Sequence, residues 1–580
     1  MPSSLLAAAA PSGHEDVADA TVELTPAARL EQNLRALARR NPLLAQRLCW
    51  PVADGHVVTN IEGRLMLKLH QSHTALELSP STVAETCRAV IAHQESSLVD
   101  GFVFGVGAGE LVDELLRCGR VGRVTAWDRD PWMLRLALSR FDFRLALLSG
   151  RLRLALGTDL FAEVASLPRY VVHHPVLASV YRNEREIAVE GLRPRCAFIG
   201  AGGLFVDDLS DGLRAAGHSV YTVDLERLSM EELEHAVTQV RPAMVMVVNY
   251  TEGLGEFCGS HGIPLYCWEV DPTLLRLQTT SAPVDTTRVF TYRRAHVDDF
   301  KAAGFPHAEF LPLAANPARR RPATLSETER PGYAVPIAFV GASLVDRVAG
   351  LRDDFVRGYV AHHEGCAGSV TEGVKLLDDL LAVQRKDFRQ YVVPDLLRAR
   401  QPGLWAAGKA PGALDLEQVV GELAAGEKRM AFVEALGPLG VHVWGDEGWA
   451  RGGFQVTYRG PAGHFVELSK IYSAARINVD IGRLYQMDIV TMRVFDVLAC
   501  GGFLLTERSP ALLDLFTPGT HLDVFSGPEE LVDKAAYYLA HPEIAAKLAQ
   551  AGRALVCESH SVSQRLAHML GSPSKAIARP

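Results

Sequence analysis

Short apolar runs alternate with amphipathic stretches along this chain, and the alternation comes round three times. Leu30, Leu34 and Leu37 recur at helical spacing and Thr82 to His93 repeats the pattern, so residues 26–95 are predicted to be mostly helical. Gly101-Phe-Val-Phe-Gly105 then reads as a buried strand, Glu110 to Cys118 as a helix and Arg123-Val-Thr-Ala-Trp127 as a strand closed by Asp128. Pro131 to Leu138 is a helix and Arg151 to Leu156 an alternating strand. This β-α-β-α-β order predicts a Rossmann-like parallel sheet. A second series opens at Cys196-Ala-Phe-Ile-Gly200 and runs through apolar strands at 219–223, 243–248, 264–268, 288–291 and 309–312. A third opens at Ile337-Ala-Phe-Val-Gly341, is interrupted by charged helical sequence at 345–432, and resumes at Val441-His-Val-Trp444. Its further strands are expected at 454–457, 476–481 and 502–507, with amphipathic helices over Pro528–Leu539 and Glu543–Val556.

The 580 residues suggest three or four domains at roughly 100–200 residues each. The expected division is a disordered tail over 1–25, a helical plus Rossmann-like domain over 26–188, a second α/β domain over 189–330, and a third over 331–580 that carries the helical insertion. Hydrophobic residues make up 48% and charged residues 22%, an ordinary balance for a water-soluble chain. A formal net charge of -9 disfavours a broad nucleic-acid surface. Arg319-Arg320-Arg321, between Pro317 and Pro322, reads as a solvated linker. The nine cysteines are scattered and no C-x-x-C occurs, which suggests reduced thiols in a cytoplasm. No run of about 18 apolar residues appears, so no membrane span is expected. The twenty histidines show no metal-ligand spacing, and the pairs His173-His174 and His362-His363 read as surface residues. No metal is expected.

The densest candidate chemistry lies in Asp488-Ile-Val-Thr-Met-Arg-Val-Phe-Asp-Val-Leu-Ala-Cys-Gly-Gly502, where seven residues separate Asp488 from Asp496. A helix N-terminus near Val490, Thr491 and Met492 would hold phosphate, with Arg493 neutralising a diphosphate leaving group. In one continuous helix the two carboxylates would lie about 12 Å apart, whereas a loop over 482–489 could bring both to one cleft. The bland alternative is that Asp488 caps the helix and Asp496 is solvated. Ligands in open α/β sheets sit beyond the carboxyl ends of strands. That selects Gly341, Ser343 and Arg347, then Gly445 and Trp449, then Tyr458. A base near an acceptor hydroxyl would come from Asp271 or Glu269 at the end of a strand, with Arg293 and His296 as weaker choices.

Several strings resemble the CgeB-like (spore maturation) glycosyltransferases of the GT-B group. They are Lys470-Ile-Tyr-Ser-Ala-Ala-Arg-Ile-Asn478, Arg493 to Glu507, Pro528-Glu-Glu-Leu531, Tyr537-Tyr538-Leu539 and Ala551-Gly552-Arg553, with Trp268-Glu-Val-Asp-Pro272 and Leu311 to Pro317 in the preceding domain. The resemblance covers about two-thirds of the chain. It implies a GT-B pair of Rossmann-like domains preceded by a third, and transfer from a nucleotide-diphosphate sugar to a protein, glycan or small-molecule acceptor. Related retaining enzymes carry Glu-x7-Glu, the first carboxylate meeting the donor sugar and the second the ribose. Asp488 and Asp496 keep that spacing with side chains one methylene shorter. Taken with the strand-end and helix-start positions above, Asp488 and Asp271 are the catalytic candidates, and Asp496, Arg493, Thr491, Gly341, Ser343, Arg347, Gly445 and Tyr458 the donor-binding ones. GT-B folds ordinarily need no bound metal, and no cofactor is expected besides the nucleotide-diphosphate sugar as donor substrate.

Gly105, Gly107 and Gly109, followed by Asp128 at a strand end, resemble the first motif and ribose ligand of S-adenosylmethionine methyltransferases, and also the Rossmann-like part of Maf-type flagellin glycosyltransferases. Tyr170-Val-Val-His-His-Pro175 stands where a methyltransferase would carry an Asp/Asn-Pro-Pro-Tyr string. The alternatives to glycosyl transfer are therefore a methyltransferase or a fusion of both activities, with S-adenosylmethionine as cofactor, and a non-catalytic binding scaffold.

Overall fold

The computed structural model describes residues 24–52, 56–59, 65–69, 75–77, 99–118, 121–165, 170–271, 284–363, 369–410, 412–463 and 466–571. They form two compact units, one running to Leu192 and including Thr222–Arg241, the other comprising Arg193–Tyr221 and Pro242 onward.

In the first unit, Thr25 and Asn41 cap the helices Pro26–Ala38 and Pro42–Arg47 through their side-chain oxygens. Three antiparallel strands follow, β1 (His56–Thr59), β2 (Leu65–Lys68) and β3 (Ala75–Glu77), in sequence expected to be helical. The β-branched run Val57-Val58-Thr59 favours extended pairing over a helix. The helix expected at Thr82–His93 lies outside the described residues. Next come β4 (Val99–Phe104), β5 (Val121–Asp128), β6 (Leu152–Leu156) and β7 (Tyr170–His173), a parallel sheet in the order β6-β5-β4-β7. Val103, Leu111, Leu115, Val124, Leu134 and Leu152 fill its core. Buried Arg47 ties the unit together through Asp159 (2.9 Å) and Glu232 (2.5 Å).

The second unit holds two six-stranded sheets. The first comprises β8 (Arg195–Gly200), β9 (His218–Val223), β10 (Met244–Val248), β11 (Leu265–Glu269), β12 (Thr287–Thr291) and β13 (His307–Phe310), in the order β13-β12-β11-β10-β8-β9. The other comprises β14 (Ile337–Val340), β15 (Val441–Trp444), β16 (Thr457–Tyr458), β17 (Ile477–Asp480), β18 (Leu504–Glu507) and β19 (Asp523–Phe525), in the order β16-β15-β14-β17-β18-β19. Every strand pair of this second sheet is parallel. Strand order reverses between β14 and β17, so a crevice opens there at the carboxyl ends. The expected insertion stands between β14 and β15 as helices Val345–His362, Ser369–Gln384, Val393–Arg400, Pro402–Ala407 and Leu416–Ala435, with its own core of Phe355, Leu377, Leu380, Leu397 and Leu423.

The two halves share one apolar core, in which Phe205, Leu209 and Trp268 meet Phe495, Leu498 and Leu566. The chain crosses between them twice. After β13 the linker runs into the C-terminal half, and at the end the helix Val562–Met569 returns to the N-terminal half. Ala315 donates to the His560 carbonyl (3.2 Å) and accepts from the Val562 N–H (2.9 Å) there, and Arg565 donates to the carbonyls of Pro312 (2.9 Å) and Leu313 (3.2 Å). The architecture is a pair of Rossmann-like halves, the arrangement that the GT-B resemblance implies. The linker arginines are not solvated as expected. Arg319 meets Asp208 at 2.8 Å and Asp211 at 2.6 Å, Arg320 meets Asp496 at 2.9 Å, and only Arg321 of the three is exposed. The physical reason is that the linker passes between acidic side chains of both halves, which sequence spacing does not reveal. Among the described residues no helix is long and apolar enough to cross a membrane.

Candidate active site

At the carboxyl ends of β14 and β17, Arg493, Arg483 and Asp480 lie within electrostatic reach of Arg429. Asp480, the last residue of β17, is buried and accepts from the Thr491 hydroxyl (2.8 Å), the Thr506 hydroxyl (3.2 Å) and the Arg493 guanidinium. Thr491 is the N-cap of helix Met492–Ala499, but its hydroxyl turns to Asp480 and leaves the helix N–H groups uncapped by it. Arg429, from the last helix of the insertion, reaches the loop after β14 and donates to the Ala342 carbonyl at 3.1 Å. It is 8% exposed, and its Nε has no acceptor among the described residues. Burial, then the neighbouring Arg493 and Arg483, push its guanidinium down to about 10.

The insertion also holds the loop that follows β17. Glu422 pairs with Arg483 at 3.2 Å and accepts from the Tyr485 hydroxyl, while Lys428 pairs with Glu507 at 2.5 Å and donates to the Gly482 carbonyl at 3.2 Å. The far end of that loop carries Asp488, whose two oxygens take Nη2 (2.6 Å) and Nε (3.0 Å) of Arg293 from the other half. A cavity of about 360 Å³ opens beside the loop, bounded by Asp480, Thr491, Leu512 and Phe525 and, from the insertion, Phe388 and Arg389.

The helix starts at Met492, so Asp488 lies in the loop and Asp496 inside the helix, and the structure does not bring them to one place. Asp488 faces the other half. Asp496 is buried against Arg320, and burial raises its carboxyl to about 6 despite that partner. Gly341 lies close to Arg493, whose Nη2 would be 3.5 Å from a Cβ placed there, and Gly445 packs so tightly that a Cβ would meet the Gly341 carbonyl at 2.2 Å. Ser343 is buried, with both its N–H (2.9 Å) and its hydroxyl (2.5 Å) given to Asp446. Arg347 is half-exposed beside Glu422 at 3.6 Å, and the Tyr458 hydroxyl donates to the Gly445 carbonyl at 3.3 Å. Trp449 is a core residue whose indole donates to the Gly341 carbonyl. In the N-terminal half, Glu269 is buried on the Tyr250 N–H whereas Asp271 is exposed. His296 is buried and its imidazole is held below its ordinary value by burial and by Arg293.

Asp480, Glu422, Lys428, Arg429, Arg483 and Glu507 escape a reading of the sequence. Asp480 carries the one available signal, since it ends an apolar strand as Asp128 does. The insertion residues carry none, because only the fold returns a helix 54 residues earlier in sequence to the loop at Gly482.

Against known proteins, residues 428–571 match the family described as glycosyl transferase-like. The chain carries a glycosyl transferase-like domain. That segment spans β15 to the returning helix together with Arg429. No curated protein matches the sequence. Among solved structures, a glycosyltransferase from Rickettsia africae aligns at 9% identity over 65% of this chain and 97% of its own, with a TM-score of 0.40. HepE of Anabaena, solved with UDP and glucose, aligns at 11% over 72% and 96%, with a TM-score of 0.38. Sucrose-phosphate synthase from Thermosynechococcus elongatus aligns at 13% over 65% and 98%, with a TM-score of 0.40.

In the first unit the glycine turn exists, with Gly107 at φ 61°, but this chain fills it. A Cβ at Gly107 would lie 2.6 Å from His174 Nε2, so an approaching ligand meets the imidazole first. Asp128 is fully buried and accepts from the Val106 N–H (2.8 Å) and the Tyr181 hydroxyl (2.7 Å). His174 is thus a buried residue and not the surface residue expected, because the turn after β7 folds it over the glycines. His362 is exposed as expected. Among the described residues no group of His, Cys, Asp or Glu side chains is placed to hold a metal ion.

Proposed function

We propose that the second unit transfers a sugar from a nucleotide-diphosphate sugar to an acceptor hydroxyl. Arg429 carries the reading. A guanidinium buried without a salt-bridge carboxylate of its own, beside two further arginines at a strand-order reversal and a helix N-terminus, favours an anionic ligand. A diphosphate supplies one. Arg429 and Arg493 would bind it, the helix N–H groups and Thr491 would border it, and Gly341 and Gly445 would let backbone approach. Ser343, Arg347 and Tyr458 would shape the rim of the crevice. The 360 Å³ cavity beside Thr491 suits the sugar. The acceptor oxygen attacks the anomeric carbon as the carbon–oxygen bond to phosphate breaks. The proton passes to Asp271, and the developing charge on the diphosphate falls on the arginines. Asp488 sets the spacing of the halves through Arg293, and Asp496 keeps the donor helix against the linker.

The acceptor is a protein, a glycan or a small metabolite, taken by the half at 189–330, with the donor held by 331–580. The strings at 470–478 and 493–507 support a CgeB-like assignment, and the scattered cysteines support a cytoplasmic setting. No cofactor or metal is needed. The methyltransferase reading loses support because His174 fills the glycine turn and Tyr181 occupies an oxygen of Asp128.

Calorimetry with UDP, GDP and dTDP, and separately with S-adenosylmethionine, tests this. One diphosphate should bind wild type, and Arg493→Met should weaken it at least tenfold. Binding of S-adenosylmethionine with no diphosphate bound would refute the proposal.

A further inference from the structure

The ends of β10 and β11 are laced together by two consecutive residues. The Tyr250 N–H donates to Glu269, and Asn249 handles everything beyond it. Asn249 Oδ1 accepts from the N–H of Val270 (2.9 Å) and of Asp271 (3.3 Å), while Nδ2 donates to Asp271 Oδ2 at 2.8 Å. Its backbone sits at φ 63°, in the left-handed region. Glycine would meet that backbone need at less cost, so the carboxamide is what asparagine adds. It fixes both the main chain and one carboxylate oxygen of Asp271, and leaves Oδ1 without a donor among the described residues.

We infer that Asn249 is a positioning residue that aims Asp271 Oδ1 at the acceptor hydroxyl. This rests on Asp271 as the base in the proposed transfer. The buried Tyr292 hydroxyl, also without a partner among the described residues, stands within electrostatic reach of Asp271, Asp488, Arg293 and Tyr485. Asp271 and Arg293 follow the neighbouring strands β11 and β12 at one carboxyl edge of the sheet, where the Tyr292 N–H donates to the Glu269 carbonyl at 3.2 Å. An N–H donor on one oxygen fixes the rotation of the carboxylate, and a base displaced by about 1 Å loses roughly 100-fold in rate.

Asn249→Gly removes the carboxamide and keeps the backbone. The probe is release of nucleoside diphosphate from UDP-glucose, UDP-N-acetylglucosamine, GDP-mannose or dTDP-glucose with water as acceptor, using whichever is turned over fastest. Asn249→Gly should lower kcat roughly 10- to 100-fold, with donor KM unchanged and a melting temperature only a few degrees lower, too little to unfold the protein at the assay temperature. In an Asp271→Ala background it should cost nothing more, because the two residues act as one unit. A kcat within twofold of wild type in Asn249→Gly, while Asp271→Ala is inactive, overturns the positioning role and leaves the base. A fall in melting temperature that accounts for the lost rate also overturns it, in favour of a structural role. Full activity in Asp271→Ala, or no release from any donor, overturns the base or the transfer reading and this inference with it.

Discussion

Replacing Arg429 with methionine should make the empty protein more stable and the donor site worse. The drop of its guanidinium from the ordinary value to about 10 corresponds to roughly 3 kcal/mol of cost to the charged form in the folded chain. Methionine removes that cost and fills a similar volume. Against it stands the loss of one hydrogen bond to the Ala342 carbonyl, worth about 1 kcal/mol. The net expectation is a gain of about 2 kcal/mol, within the range seen when buried charges give way to apolar side chains. Binding moves the opposite way. Charge-assisted bonds to phosphate contribute about 1.5–3 kcal/mol, so affinity for the preferred nucleoside diphosphate should fall roughly 10- to 150-fold. Thermal unfolding of both proteins, with and without saturating diphosphate, reads both quantities. Arg429→Met should melt higher when empty and show a smaller ligand-induced rise. A variant that melts lower when empty and binds diphosphate like wild type would refute the reasoning, because Arg429 would then be a structural cation already satisfied.

Two predictions concern pH. Arg320→Met strands Asp496 without its partner, which should cost about 3–5 kcal/mol where that carboxyl is ionised. Asp496 sits at about 6, so the loss should be large at pH 8, much smaller at pH 5, and reversed by adding Asp496→Asn, as followed by urea unfolding at both pH values. In the first unit, burial and then Asp130 raise Asp128 to about 7. An acid raised on folding binds more protons folded than unfolded, so its contribution is complete below its unfolded value near 4 and is lost as pH rises through about 7. The first unit should lose stability between pH 5 and 8, and Asp128→Asn, whose oxygen can accept from the Val106 N–H while its NH2 donates to the Tyr181 hydroxyl oxygen, should flatten that loss. Hydrogen exchange of β4 and β5 checks it, and an unchanged slope would count against the assignment.

The strand-helix order of all three sheets was legible, since buried parallel strands read as compact apolar runs bounded by glycine. The antiparallel β1–β3 was not, because three short strands in a polar stretch give too few positions for a period of two to emerge. At the candidate site, the helix Met492–Ala499 could be found from local pattern, because a helix start and a glycine end are set by adjacent residues. Arg429 and Glu422 could not. Their partners lie 87 and 61 residues away, at Ala342 and Arg483, and only the completed fold defines those distances. Arg320 was misread for the same reason, since a cationic run beside prolines looks identical whether its carboxylates are water-bound or waiting on two other helices.

The double crossing at Ala315 and Val562 restricts how the cleft can work. A single tether would let one half swivel, twist and slide against the other. Two tethers bonded to each other and buried under Arg565 leave one easy motion, rotation about the line they share, like a door on a pinned hinge. Rotation about that line would part Asp488 from Arg293 along a fixed arc and bring the two back together in the same register.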